Sequence, residues 1–411
     1  MGFEYGEAAA AVLAGPVAFG AGPVLKTFQE LVTMAQHFFA VGQREHCMHA
    51  LYFLHVFLPA CASAPDFLIC LQVRRMSREH GYGCILGACI GDAAGAPLEF
   101  TGQAVDRGAI VSAMCLEGGG PLGTAPGQFT DDSEMALALV RGIGDTPPED
   151  PFPADAVASA YQDWYKSHPI DAGFTCKTAC VLSLLEETDP LVPVRPGAGG
   201  AMTDIAAKYS MRSKANGGVM RCMPIAVWCH RLADEDIAEK AIADCALTHP
   251  NDTCKYANAA YCIAGAHLIR RPGDAKGAVR RVAAYCESSA NAEVRGWLHE
   301  ALSATTLPPC DDQIGFVRWA FTYALICLNL EWSFERSLAS VLVQKGDSDT
   351  NAAIVMGLMG ALHGADGIPL HMREKLLAAV PRNQRPDWLC NAHIPKAFDR
   401  LWTAAAGASR E

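Results

Sequence analysis

The chain has 411 residues, of which 51% are hydrophobic and 19% are charged, which is enough apolar material to bury a sizeable core. The net charge of −11 and the absence of any run of Lys or Arg argue against binding to nucleic acid, whose phosphates an acidic surface repels. The 17 cysteines include no C-x-x-C pair and lie in apolar patterns. We therefore expect free, buried thiols and a reducing, cytoplasmic location.

The first 78 residues are predicted to be a helical extension of unknown function. The apolar stretch 8–24 does not have the features of a signal peptide or a membrane span, because Glu4 and Glu7 precede it and Gly-Pro pairs interrupt it. From Thr27 to Arg78, apolar residues recur at helical spacing. We expect no membrane contact.

A glycine-rich helix is predicted next, over residues 81–100. Glycine or alanine at positions 83, 87, 88, 91, 94 and 95 gives this helix one thin face. Each glycine in a helix costs about 1 kcal/mol relative to alanine, so a compensating use is expected. Two uses are equally consistent with the spacing: close packing against another helix, and delivery of Asp92 and Glu99 to an acidic site.

The first acidic cluster occupies 127–133, with the sequence Gly-Gln-Phe-Thr-Asp-Asp-Ser. The helix formers that follow, 133–141, predict a helix with Thr130 or Asp131 as its N-cap. Acidic residues in a first turn interact favourably with the helix dipole, and that alone could explain them. Paired carboxylates beside hydroxyls are also the hard oxygen ligands that a divalent cation prefers.

Two further segments are weaker candidates on spacing alone. Residues 213–224 contain a Gly-Gly pair that leads into a helix, a geometry that can direct N–H groups at an anion but is more often a plain turn. His249 precedes a proline between two predicted helices, and on spacing alone a capping role explains it better than a site role.

A second acidic cluster, 345–351, repeats the pattern of the first: a glycine, alternating carboxylates and a hydroxyl at the start of a predicted helix, 352–363. Carboxylates and hydroxyls suit Mg²⁺ or Mn²⁺ better than zinc. An EF-hand loop fits poorly, because its sixth position is Ala352 rather than glycine.

The fold class expected from these patterns is all-α, an orthogonal multi-helix assembly. No stretch shows sustained strand alternation, and neither tandem repeats nor heptads occur. In such an assembly the acidic starts of distant helices can converge on one pocket.

Five segments resemble the ADP-ribosylglycohydrolase family in content and order: 91–100, 127–135, 216–224, 249–250 and 346–351. The resemblance covers about residues 80–370. It implies a compact all-α catalytic domain, assigned here to 79–411, with two divalent cations, Mg²⁺ or Mn²⁺, at the base of a cleft that binds ADP-ribose.

The resemblance also implies roles for individual residues. The implied metal ligands are Thr130, Asp131, Asp132, Asp347, Asp349 and Thr350. The implied substrate contacts are Asp131, Asn216, Gly217, Gly218, Met220, Arg221 and His249. The implied catalytic carboxylates are Asp131, Asp347, Asp349 and Glu99, and which of them acts as the general base stays open. Lys345 stands where many members of the family have glycine.

The implied reaction is hydrolysis of the glycosidic bond at the distal ribose of ADP-ribose attached to a protein side chain. Its transition state has oxocarbenium character, which nearby carboxylates stabilise. The expected substrate is a mono-ADP-ribosylated protein or an ADP-ribose-containing small molecule, and the expected enzyme is a monomer. Two alternatives are a non-catalytic ADP-ribose binder or structural relative, and another metal-dependent hydrolase acting on nucleotide phosphoanhydrides.

Overall fold

The computed structural model describes residues 65–99, 101, 105–186, 197–310 and 313–407. The chain divides into two units, Met1–Val73 and Arg74–Glu411, and the description below concerns the second. The predicted extension over residues 1–78 lies mostly outside the described residues. Its boundary with the catalytic domain stays a prediction.

The described residues form sixteen α-helices and no β-strand, as the sequence predicts. The first eight are α1 Pro65–Gly95, α2 Arg107–Met114, α3 Asp131–Ile143, α4 Ala154–Lys166, α5 Phe174–Glu186, α6 Ala198–Tyr209, α7 Met223–Trp228 and α8 Asp234–Ala246. The other eight are α9 Asp252–Arg270, α10 Ala275–Ser289, α11 Ala292–Ser303, α12 Val317–Asn329, α13 Phe334–Leu342, α14 Ser348–His363, α15 Leu370–Ala378 and α16 Ile394–Ala405.

Short polar side chains start many of these helices. At the N-cap positions of five helices a side-chain oxygen accepts a hydrogen bond from a backbone N–H of the first turn, which satisfies a donor that the helix leaves unpaired. These residues are Asp106, Asn251, Asp274, Asn291 and Ser333. Because Asn251 is the N-cap residue of α9, His249 does not cap the start of that helix; its backbone N–H donates to the carbonyl oxygen of Cys245 near the C-terminal end of α8, at 2.7 Å.

Helix α14 lies at the centre of the unit. Every residue from Ser348 to Leu362 is buried, and the helix packs against α3, α9, α12 and α13. A helix that is apolar on all sides is expected to be surrounded in this way. The first turn of α14 is the polar exception, and it carries the second acidic cluster.

The glycine face of α1 packs directly on the backbone of α14. A Cβ atom at Gly87 would overlap the carbonyl oxygen of Met356, and one at Gly91 would overlap that of Ala352. One turn further, a Cβ at Gly95 would overlap the backbone of Asp349. Both expected uses of these glycines are therefore confirmed, since the close packing also brings Asp92 and Glu99 to the acidic clusters.

Among the cysteines whose side chains the structure describes, all but Cys115 and Cys390 are buried, which agrees with their predicted role as small apolar residues. Within the same part of the chain, no helix combines the length and the apolar composition needed to cross a bilayer.

Candidate metal centre

The carboxylate of Asp92 on α1 caps helix α3 from across the helix interface. One oxygen accepts hydrogen bonds from the backbone N–H and the hydroxyl of Thr130, at 2.9 and 2.8 Å. The other accepts from the backbone N–H and the hydroxyl of Ser133, at 3.0 and 2.6 Å. Thr130 is the N-cap residue, as predicted, but its side chain makes no capping bond of its own. Asp92 supplies that bond instead and fixes the first turn of α3.

Helix α14 presents the second cluster against this turn. Asp347 is its N-cap residue, and the hydroxyl of Ser348 donates to the carbonyl oxygen of Gly95 at 3.1 Å. The hydroxyl of Thr350 lies 3.5 Å from an oxygen of Asp132, so the two helix starts face each other. This arrangement is the convergence that the two clusters predict.

Two triads of carboxylates result, and they share Asp349. In one, Asp92, Asp132 and Asp349 each place an oxygen within 4.8 Å of the others; in the second, Glu99, Asp347 and Asp349 do the same. Oxygens at this spacing can converge on a divalent cation, and two such groups with a common member lie close enough to hold two.

The donor set fits a divalent cation in two further ways. Oε2 of Glu99 and Oδ1 of Asp132 are buried and have no hydrogen-bond partner, a condition that is costly unless a ligand satisfies them. The ion pairs among the described residues all involve carboxylates outside the two triads. The negative charge of the site is therefore not neutralised by nearby basic side chains.

The pKa values of these carboxyl groups reflect the same lack of neutralisation. Burial raises the pKa of Asp92 to about 6, although its four hydrogen bonds act in the opposite direction. Burial and then the charge of Asp347 raise the pKa of Glu99 to about 8. Burial, followed by neighbouring carboxylates, raises the pKa of Asp131, Asp132 and Asp349 well above the usual range. A bound cation would supply the missing positive charge.

Asp131 lies beside the two triads rather than within them. Its Oδ2 accepts a hydrogen bond from the backbone N–H of Gly173 at 3.2 Å. After burial, the charge of Asp171 is the next cause of its raised pKa, which places that carboxylate nearby. The loop 167–173 between α4 and α5 therefore borders the site on the side of Asp131.

The Gly-Gly segment borders the other side. Asn216 begins a short 3-10 turn, Asn216–Gly218, and its side-chain amide donates to Oδ2 of Asp347 at 2.8 Å. A Cβ at Gly315, whose φ is +77°, would lie 3.2 Å from the same carboxylate oxygen. The predicted glycine loop therefore adjoins the second acidic cluster.

Two predicted substrate contacts on this segment are deeply buried. The side chain of Arg221 is fully buried, and its Nε pairs with Asp244 at 3.2 Å. Its NH1 donates to the carbonyl oxygen of Gly217 at 3.4 Å, and its guanidinium lies over the ring of Tyr161. Met220 is 3% exposed. The structure thus ties Arg221 to the backbone of the glycine turn and to the core.

His249 lies against the same turn. Its Nδ1 is 2.8 Å from the hydroxyl of Thr248, and its buried Nε2 has no partner. Burial and then the charge of Arg221 lower its pKa to about 3, so the imidazole is neutral at pH 7. A Cβ at Gly217 would lie 3.2 Å from Nε2, which means that the absence of a side chain there keeps this nitrogen uncovered on that side.

The sequence predicts neither Gly173 nor Gly315 as a neighbour of the site, and it does not predict Asp92 as a ligand. Asp92 was expected near the cluster but not as a member of a carboxylate triad, although its position within the glycine helix was a usable signal. Gly173 and Gly315 lie in loops with no distinguishing local pattern, so only the folded chain shows that they adjoin Asp131 and Asp347.

Comparisons with known proteins identify the family of this chain. The family model described as ADP-ribosylglycohydrolase matches residues 74–409. The chain is 28% identical over 311 residues to ADP-ribosyl-[dinitrogen reductase] glycohydrolase of Rhodospirillum rubrum, covering 75% of this chain and 93% of the relative. It is 25% identical over 327 residues to ADP-ribosylarginine hydrolase Tri1 of Pseudomonas putida, covering 77% and 80%.

A solved structure, titled ADP-ribosylglycohydrolase-related protein complex, superposes with a TM-score of 0.61 at 17% identity, covering 81% of this chain and 99% of that one. That likeness supports the fold. Because the family model spans most of the chain, the chain belongs to the ADP-ribosylglycohydrolase family.

Proposed function

We propose that this protein hydrolyses the glycosidic bond that joins the distal ribose of ADP-ribose to a protein side chain, and that it does so with two divalent cations. The observation that carries the proposal is the pair of buried carboxylate triads sharing Asp349, with unpaired oxygens on Glu99 and Asp132. Family membership and the names of two relatives support the substrate class.

The two helix starts would hold the cations. We assign ligand roles to Asp92, Asp132, Glu99, Asp347 and Asp349. The hydroxyls of Thr130 and Thr350 and the carboxylate of Asp131 complete the proposed set. When bound, Mg²⁺ or Mn²⁺ would orient the ribose hydroxyls and lower the pKa of a water molecule.

The chain's own groups supply the remaining functions. The carboxylates stabilise positive charge that develops at the anomeric carbon when the glycosidic bond breaks. We propose that Asp131, Asp347 or Asp349 accepts the proton of the attacking water and that Glu99 faces the scissile bond. Gly173 holds Asp131 through its N–H, which limits the rotamers that Asp131 can adopt.

The glycine turn and His249 are the proposed binding surface for the ribose and diphosphate, formed by Asn216, Gly217 and Gly218. We propose that Arg221 and Met220 contribute to this surface by supporting its backbone from the core. Arg221 does so through its hydrogen bond to the carbonyl oxygen of Gly217. We propose that Asn216 also links substrate binding to the metal centre, since its amide bonds Asp347.

The test is release of free ADP-ribose from arginine-modified and serine-modified proteins, with Mg²⁺, with Mn²⁺ and with EDTA. The arginine linkage comes first, because one relative is named for it. We expect metal-dependent release that an Asp131→Asn, Asp132→Asn variant loses. Release of AMP instead would indicate a phosphoanhydride hydrolase, and retained ADP-ribose binding without release would indicate a non-catalytic binder. Either result would contradict the proposal.

A further inference from the structure

A segment near the C-terminus packs against the first acidic cluster. The carbonyl oxygen of the Gln128 side chain accepts from the backbone N–H of Arg382 at 3.0 Å, and its amide donates to Asn383 at 2.9 Å. The side chain of Asn391 donates to the carbonyl oxygen of Gly127 at 3.0 Å. Residues 382–391, here called the C-terminal brace, thus hydrogen-bond to the loop residues that immediately precede α3.

Arg385 is the buried centre of this brace. Its side chain is 1% exposed, and its Nε and NH2 bind the two carboxylate oxygens of Glu134 at 2.6 and 2.7 Å. The indole N–H of Trp164 also donates to Glu134, at 2.8 Å. Glu134 follows the metal-site carboxylates on the first turn of α3, so this bidentate pair anchors the turn that carries them.

The third contact of Arg385 reaches the loop 167–173. Its NH1 donates to the carbonyl oxygen of Ser167 at 2.6 Å. The next residue, His168, has a φ of +55°, so the chain turns sharply just after this contact. The other end of the loop is held by the hydrogen bond from Gly173 to Asp131. Arg385 and Asp131 therefore hold the two ends of one short loop.

We propose that Arg385 is a positioning residue for the metal centre: by joining Glu134 to Ser167 it holds the loop 167–173 in place, and through Gly173 it sets the orientation of Asp131. Its guanidinium suits this role because a planar fork can serve a carboxylate and a carbonyl at once, whereas a lysine ammonium is a point charge. This inference rests on the proposed function, because it assigns the purpose of the contact to cation binding.

The test uses the full chain and two variants. Replacing Arg385 alone by a neutral residue would leave Glu134 buried and uncompensated, so the main variant is the pair Arg385→Gln, Glu134→Gln, which removes both charges. The second variant, Arg385→Lys, keeps the charge. The control is Arg400→Gln, because Arg400 makes a similar bidentate pair with Asp145 at the opposite end of α3, on the surface.

Two measurements are made on each protein: hydrogen exchange of the peptide that contains Gly173, without metal, and Mn²⁺ affinity by calorimetry. In the double variant we expect faster exchange at Gly173 and about tenfold or greater loss of Mn²⁺ affinity, the usual effect of losing a partner of a metal ligand. Arg385→Lys should fall between the double variant and the wild type. Arg400→Gln should match the wild type in both.

Unchanged exchange at Gly173, or unchanged Mn²⁺ affinity, in a folded double variant would overturn the proposal. Should the double variant fail to fold, Arg385→Lys decides by the same two criteria. Failure of this proposal can be distinguished from failure of the proposed function. A wild-type protein that binds Mn²⁺ but releases no ADP-ribose would refute the hydrolase, whereas the effect of the Arg385 substitutions on exchange and Mn²⁺ affinity would still be measurable.

Discussion

Asp349 is the carboxylate common to both triads, and its loss should affect both of the proposed cation sites. We expect Asp349→Asn to weaken Mn²⁺ binding about 100-fold or more and to abolish ADP-ribose release. Without metal, the free energy of unfolding should stay the same or rise, because the variant removes one of several like charges from a buried cluster. Calorimetric titration and urea unfolding in EDTA measure the two effects.

The matched control for that variant is Asp399→Asn. Asp399 is an exposed carboxylate on α16 that pairs with Arg78 at the surface. An exposed pair contributes little, about 0–1 kcal/mol. The control should bind Mn²⁺ as the wild type does, and equal Mn²⁺ affinity in Asp349→Asn and wild type would refute the shared-ligand role.

His230 predicts a pH dependence of stability that is separate from the metal centre. Its ring stacks on Trp402, its Nδ1 lies 2.8 Å from the carbonyl oxygen of Val227, and burial lowers its pKa to about 4. The pKa of histidine in an unfolded chain is about 6.5, so the unfolded chain binds the proton first as the pH falls. The stabilisation is therefore present above pH 6.5 and is lost between pH 6.5 and 4.

Urea unfolding between pH 7.5 and 4.5 tests this dependence, with His230→Phe as the non-titrating variant. Relative to the variant, the wild type should lose up to about 3 kcal/mol of unfolding free energy as the pH falls through this window. Other groups titrate over the same range, so the difference between the two proteins is the informative quantity. Parallel curves for the two proteins would refute the prediction.

At the scale of elements, the contact between α1 and α14 predicts opposite effects of two glycine substitutions. Gly87 is pressed against the carbonyl of Met356, whereas Gly296 on α11 has open space around its position. Gly87→Ala should lower the free energy of unfolding by about 1–3 kcal/mol, the usual cost of overpacking. Gly296→Ala should raise it by about 1 kcal/mol, since alanine favours helix. Urea unfolding of both variants measures these two changes in the free energy of unfolding.

A neutral or stabilising Gly87→Ala substitution would contradict the close contact between α1 and α14, because helix propensity alone predicts that both substitutions stabilise the protein. The Mn²⁺ affinity of the Gly87→Ala variant is a second measurement. Displacement of α1 moves Asp92, which caps α3, so affinity should fall together with stability. Gly296→Ala, far along the chain on α11, should leave Mn²⁺ affinity unchanged.

The helix starts show why element boundaries were only partly predictable. The sequence predicts a helix from Ala352, but α14 begins at Ser348. The run of Asp, Ser, Thr and Asn resembles a loop in sequence, whereas in the fold it is a helical turn whose Ser348 hydroxyl donates to the carbonyl oxygen of Gly95 on α1. For α3 the sequence predicts Thr130 or Asp131 as the N-cap residue. Thr130 occupies that position, yet the carboxylate that caps the first turn belongs to Asp92, 38 residues away. A local pattern carries no information about a cap supplied by another helix.

At the scale of the whole molecule, metal binding should stabilise the fold by mass action. A cation that binds the folded state at 100 times its dissociation constant contributes about 2.7 kcal/mol. We therefore expect Mn²⁺ to raise the midpoint of thermal unfolding by several degrees, and EDTA to reverse the shift. Scanning calorimetry with and without Mn²⁺ measures this, and Asp349→Asn should show no shift. An equal shift in that variant would place the cation elsewhere.

The sequence by itself determined the all-α class, the two acidic helix starts and the buried character of the cysteines. These properties depend on local composition and periodicity, which a chain carries before it folds. The glycine face of α1 also predicted close packing. The combined order of five motifs pointed to the family that the comparisons then showed.

Only the tertiary structure decided which groups meet. It places the carboxylate of Asp92 at the N-terminus of α3, makes Asp349 common to the two triads, and brings Gly173 to Asp131 and Gly315 to Asp347. It also joins Arg385 of the C-terminal brace to Glu134 on the first turn of α3. Arg385 and Glu134 are 251 residues apart in the chain. Contacts at such separations depend on how the helices pack, and no local spacing rule encodes that packing.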